Sequence, residues 1–155
     1  MKPYRPRPDR EKRLTSSVKA AEALVGLDLY PQHKRELLSI CVWKATELDG
    51  KWNTRFCSRG ALEADPDTKL NHEHVVERAK LVDRMLAGVT VDKVLKSAVA
   101  CVVTVAEHKR LTERSRSDPG LRWIAPLGHG WRGTKAGAIR LPSVGGSSPI
   151  TWIMP

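Results

Sequence analysis

The chain has 155 residues, of which 41% are hydrophobic and 28% charged, and its 27 Lys and Arg against 17 Asp and Glu give a formal net charge of +10. That apolar content can build a core and is too high for a wholly disordered chain, so a folded body of one domain's size is predicted. No apolar run approaches the roughly 18 to 20 residues that cross a bilayer, and no apolar segment follows the charges of Met1 to Pro8, so neither a membrane span nor a secretion signal is expected.

Taken in chain order, residues 1 to 13 alternate Pro3, Pro6 and Pro8 with bases and read as an extended or disordered arm, with one globular domain expected over residues 14 to 155. Thr15, Ser16 and Ser17 offer N-caps for a helix to about Val25, with Val18, Ala21, Leu24 and Val25 at helical spacing and Gly26 as its stop. Pro31 suits the first position of a second helix, whose stripe is Leu37, Leu38, Cys41, Val42, Ala45 and Leu48, and Asp49-Gly50 ends it. Trp52, Thr54 and Phe56 alternate with polar neighbours as in a short strand, and Ser58-Arg59-Gly60 reads as a turn. A third helix is predicted from Val75 to Leu86, closed by Gly88, and a short fourth from Val91 to Ala98. Ala100 to Thr104 is short, apolar and β-branched, a buried-strand pattern. Thr104 then caps a helix in which Glu107 completes a capping box. Beyond Glu113 the chain is rich in Ser, Arg, Gly and Pro and reads as irregular, with Ile150, Trp152 and Ile153 able to form an edge strand.

The positive charge is gathered rather than spread. Residues 1 to 20 carry seven bases against two acids, residues 51 to 60 three against none, and residues 121 to 140 four against none. Clustered bases suit a polyanion, because each neutralised phosphate releases condensed counterions, so nucleic acid, DNA or RNA, is the expected partner class. The bases concerned are Arg5, Arg7, Lys51, Arg55, Arg59, Arg122, Arg132 and Lys135. A basic arm also serves solubility or another protein's acidic surface, and a protein partner stays open. Trp52 and Phe56, and Trp123 and Trp131, lie among these bases and either stack on nucleobases or belong to the core; Trp43 is assigned to the core. Cys41, Cys57 and Cys101 form no C-x-x-C pair, which argues against a disulfide framework or zinc ribbon and for a reducing, cytoplasmic compartment.

Of five histidines, two fall in the run Asn71-His72-Glu73-His74-Val75-Val76, where three potential metal ligands are adjacent. A zincin H-E-x-x-H fails because Val76 stands at the second histidine, and the H-x-E with P-C-x-x-C of zinc deaminases is absent. His33 is expected to face solvent, and His129, between two glycines, is a second-tier candidate.

Glu73-His74-Val75-Val76-Glu77, followed by Val102-Val103-Thr104-Val105-Ala106-Glu107-His108, resembles the HNH branch of the His-Me finger (ββα-metal) endonucleases. In that family the first strand commonly reads acid-His-aliphatic-x-Pro, and a second strand leads into a helix bearing a further metal ligand; Glu77 stands here in the place of the proline. The resemblance covers roughly residues 69 to 111, and the implied ββα-like site spans 69 to 114. It implies a metal-dependent endonuclease hydrolysing phosphodiester bonds, with His74 as general base, Glu73 and His108 as ligands to one Mg²⁺, Mn²⁺ or Zn²⁺ ion, and His72 as a further ligand. The alternative is a non-catalytic basic nucleic-acid-binding module. The implied fold is α+β: N-terminal helices, then a small ββα-like element whose strands at 70 to 76 and 100 to 104 are separated by a helical insertion, then an irregular C-terminal region. Strand alternation sends His72 and His74 to one face and Glu73 to the other, so a shared ion requires the strand to end or bulge at the motif.

Overall fold

The computed structural model describes residues 4–117, 139–140 and 151–153. It is an α+β fold, and its elements run α1 (Arg10–Gly26), α2 (Pro31–Thr46), β1 (Cys57–Ser58), α3 (Arg59–Leu62), β2 (Leu70–His74), α4 (Arg78–Leu86), α5 (Val91–Ser97), β3 (Ala100–Thr104), α6 (Val105–Ser117), β4 (Ile139–Arg140) and β5 (Thr151–Ile153). They divide into two compact units: Arg5–Asn53 with His74–Val99, which is helical, and Met1–Tyr4 with Thr54–Glu73 and Ala100–Pro155, which carries the sheet.

The helical unit is held by apolar stripes. Leu14, Val18 and Ala21 of α1, Leu38, Cys41, Val42 and Ala45 of α2, Leu81, Val82 and Met85 of α4, and Val91, Val94 and Leu95 of α5 form one buried cluster, closed by Leu48. The spacings of three and four in these sets put each stripe on a single helical face, whose burial drives the packing. The helices α4 and α5 lie between β2 and β3 in the chain but pack with α1 and α2, as expected of an insertion.

In the other unit the strand order is β2-β3-β1-β5-β4. Cys57 of β1 pairs in parallel with Val102 of β3, and β1 and β4 both run antiparallel to β5. At the ends of the β2–β3 pair, Val75 N donates to Val99 O at 2.9 Å and Val105 N to Lys69 O at 3.1 Å, the crossed pattern of antiparallel strands. Cys57, Ala61 and Val102 make a second small core. The run Cys101, Val102 and Val103 is fully buried, as its unbroken apolar sequence implies.

Local chemistry accounts for where the elements depart from expectation. The first helix begins at Arg10, inside the segment read as an extended arm. Arg7 N donates to Asp49 Oδ1 at 2.9 Å and Arg10 Nε to Asp49 Oδ2 at 3.0 Å, so Asp49 anchors the helix start, while Asp9 and Glu11 put negative charge at its positive end. The Arg7 guanidinium hydrogen-bonded to Asp9 holds that carboxyl below its ordinary range. The strand expected over 52 to 57 is reduced to Cys57–Ser58. Asn53 N donates to Gly50 O at 3.1 Å, so a turn that follows Gly50 (φ +110°) occupies the start of this stretch, and the ladder to β3 begins only at Phe56, whose O accepts from Val102 N at 3.1 Å and from Thr54 Oγ1 at 2.7 Å. Ser58, read as part of a turn, caps α3 by accepting from Ala61 N at 3.0 Å. The third helix starts at Arg78 rather than Val75, because residues 70 to 74 belong to β2.

The capping box at α6 is present. Glu107 N donates to Thr104 Oγ1 at 3.2 Å, and Thr104 N donates back to Glu107 Oε2 at 2.8 Å. The same Oε2 accepts from Thr104 Oγ1 at 2.9 Å and from Ser58 Oγ at 2.6 Å, so one buried carboxylate joins the ends of β1 and β3. Gly60 lies against it: a Cβ there would stand 2.6 Å from Glu107 Oε1. The carboxylate cannot withdraw without breaking bonds to Ser58 and Thr104. Gly60→Ala is therefore expected to lower stability by about 1 to 3 kcal/mol, read as a lower urea midpoint with unchanged slope.

Candidate functional site

The two strands and helix of the ββα-like element bring together two residues 35 apart in sequence. Glu73 Oε2, on β2, contacts His108 Nδ1, on the first turn of α6. Each position follows from local rules. Glu73 lies on the strand whose neighbour is β3, and the Thr104 cap starts α6 immediately after β3, setting His108 one turn into the helix. The side chains are 20% exposed for Glu73 and 40% for His108, so the pair is reachable from solvent while its carboxylate is mostly shielded. Thr112 Oγ1 donates to His108 O at 3.0 Å, within α6.

His74, the next residue along, belongs to the helical unit and has a different partner: its Nε2 lies 3.1 Å from Thr46 Oγ1, at the end of α2. His72 N donates to Asn71 Oδ1 at 3.1 Å, and the His72 side chain is partly buried. Neighbouring residues of β2 thus engage different groups, as alternation demands. The strand ends at His74, but this does not gather the donors: among the described residues, no three His, Cys, Asp or Glu side chains converge to hold a metal ion. Glu73 and His108 meet each other's donor atoms directly. Of the residues that the resemblance implies as ligands, Glu73 and His108 are thus the two whose side chains meet.

Cys57 and Cys101 are buried free thiols in this unit, and Cys41 is one in the helical unit. Burial pushes all three above the ordinary thiol range, Cys101 furthest, which keeps them as protonated packing groups. Cys101 Sγ lies 3.5 Å from Glu73 O.

The basic residues are placed as follows. Arg5, Arg7, Lys51, Arg55 and Arg59 are exposed. Arg7 pairs with Asp9 and Arg59 with Glu63, at 3.0 and 2.9 Å, while the Arg55 guanidinium lies over the Phe56 ring at 5.8 Å. Arg122, Arg132 and Lys135, with Trp123, Trp131 and His129, lie outside the described residues. His33 is exposed, with its ring edge-on to Tyr30. Trp43, expected in the core, is instead 37% exposed, because Leu38, Cys41, Val42 and Ala45 occupy the buried face of α2 and Trp43 falls outside that arc.

Sequence reasoning missed the second role of Glu107 and the direct pairing of Glu73 with His108. The first was signalled only as a cap, and the second joins residues on two elements. Among the described residues no helix is long and apolar enough to cross a membrane. No family model, no curated protein and no solved structure matches the chain.

Proposed function

We propose that this protein binds nucleic acid through its exposed bases and cleaves phosphodiester bonds with the Glu73–His108 pair as its proton-handling centre. The observation that carries the reading is the contact between Glu73 and His108, two of the residues that the resemblance to HNH endonucleases sets in one site. With the imidazole proton on Nδ1, that N–H donates to Glu73 Oε2 and leaves the Nε2 lone pair to accept a proton. Glu73 thereby fixes the tautomer and the ring orientation. A water, or a sugar hydroxyl, that gives its proton to Nε2 attacks phosphorus, the bond to the leaving oxygen breaks, and the same proton is available to that oxygen. This assigns the base to His108, where the resemblance alone sets it at His74. Exposed Arg5, Arg7, Lys51, Arg55 and Arg59 supply backbone neutralisation.

The test is incubation of the full chain with pooled single-stranded and duplex DNA and RNA, in EDTA and separately in Mg²⁺, Mn²⁺ or Zn²⁺. Cleavage that falls steeply with salt is expected, and its presence or loss in EDTA decides whether a divalent ion, the cofactor implied by the resemblance, is required. Salt-dependent binding without cleavage under any of these conditions would leave the non-catalytic binding module, which the exposed bases alone also favour.

A further inference from the structure

We infer that the turn carrying Trp52, together with the last turn of α2, is a binding surface for single-stranded nucleic acid, with bases stacking on Trp52 and Trp43 and adjacent cations holding the backbone. The inference rests on the nucleic-acid reading above and narrows its substrate class. Both indoles belong to the helical unit. Trp52 is 49% exposed, with Lys51 Nζ 4.8 Å from its ring. Trp43 carries Lys44 Nζ at 5.6 Å and the Arg78 guanidinium at 5.7 Å, and its Nε1 donates to Glu47 Oε1 at 2.6 Å, which satisfies its polar atom and fixes the ring.

A second, independent observation brings another base to the turn. Asn53, next to Trp52, clamps the backbone of Arg5 on both sides: Arg5 N donates to Asn53 Oδ1 at 3.2 Å, and Asn53 Nδ2 donates to Arg5 O at 2.6 Å. Asn53 Nδ2 also donates to Asp49 O at 3.1 Å, tying this clamp to the end of α2. The arm thus delivers Arg5 to the residue beside the indole. The nearby carboxylates are internally engaged, Asp49 by Arg7 and Arg10 and Glu47 by Trp43 and Lys44. Among the described residues no carboxylate pairs with Arg5, Lys51 or Arg78.

Part-exposed indoles flanked by cations, of which Lys51 and Arg78 pair with no carboxylate among the described residues, match the two surfaces of a single strand, the π-face of an unstacked base and the phosphate beside it. A duplex presents only the phosphates, because its base faces are already stacked. An acidic peptide would meet the cations but not the ring faces.

The experiment uses the full chain in EDTA, with a labelled oligothymidylate and a duplex of equal length, followed by anisotropy and tryptophan fluorescence. Quenching by the single strand and tighter binding of it than of the duplex are expected. Trp52→Ala should weaken single-strand binding roughly 5- to 150-fold, the loss of one stacked base, while Trp52→Phe retains most of it and duplex affinity stays within about twofold. Matching far-UV circular dichroism of the variants excludes unfolding as the cause. Equal losses on both ligands, no loss on either, or equal quenching by polyglutamate would overturn the inference. His108→Ala separates it from the catalytic reading, because that variant should bind the single strand as the wild type does. A wild type that binds in a Trp52-dependent way without cutting would sink only the chemistry; one that cuts with Trp52-independent binding would sink only this surface; one that binds no nucleic acid would sink both.

Discussion

His108→Ala is expected to reduce phosphodiester cleavage by about two to four orders of magnitude with little change in nucleic-acid affinity, the scale on which a positioned general base contributes. The side chain is partly exposed and lies outside the clusters that Leu38 and Cys57 belong to, so the loss should not come from unfolding. Glu73→Gln should lower kcat less than this and leave KM nearly unchanged, since the amide still fills the space beside His108 Nδ1 but no longer holds the ring as a carboxylate does. His74→Ala is the discriminating control. His74 lies by Thr46 and not in the Glu73–His108 contact, so its replacement should be mild. A collapse of cleavage in His74→Ala with His108→Ala near wild type would return the base to His74 and overturn the assignment made here.

The largest stability effect is expected at Glu107. Its Oε2 accepts from Ser58 Oγ, Thr104 N and Thr104 Oγ1, and the residue is only 7% exposed. Glu107→Ala removes half of the capping box and leaves the Ser58 hydroxyl, fully buried, without that acceptor. A loss of about 3 kcal/mol follows from a lost cap together with an unsatisfied buried group, measured by urea unfolding. Glu107→Gln keeps an oxygen acceptor and should cost about half as much. If Glu107→Ala unfolded at the wild-type midpoint, the carboxylate would not be the junction its hydrogen bonds describe. Glu107 is adjacent to His108, so part of any activity loss in these variants would come through displacement of α6, and stability has to be measured alongside cleavage.

Much of this molecule is determined by short-range rules and was legible in the chain itself. The helices at Pro31, Val91 and Val105, the strand at Ala100 to Thr104 and the Thr104–Glu107 box follow from period, capping and β-branching within a dozen residues, and the structure has each of them. Of the predicted stripe on the second helix, Leu38, Cys41, Val42, Ala45 and Leu48 are buried as spacing implies, whereas Leu37, at its margin, is 41% exposed. Tertiary structure decided whatever joins distant residues or sets one local option against another. Alternation at Trp52, Thr54 and Phe56 gave way because Asn53 bonds to Arg5 and Asp49, 48 residues before it in one case and four in the other. Trp43 was placed outside the core by which arc of α2 its partner helices cover, and no property of an indole specifies that. The run His72-Glu73-His74 fixes three chemically capable groups in a row, but a strand separates neighbours by facing them apart; only the packing of β2 with β3 and α6 selected Glu73 for contact with His108. Local sequence specifies elements through interactions that cost little chain entropy to form, whereas a contact between side chains 35 residues apart exists only once the sheet that carries them is made.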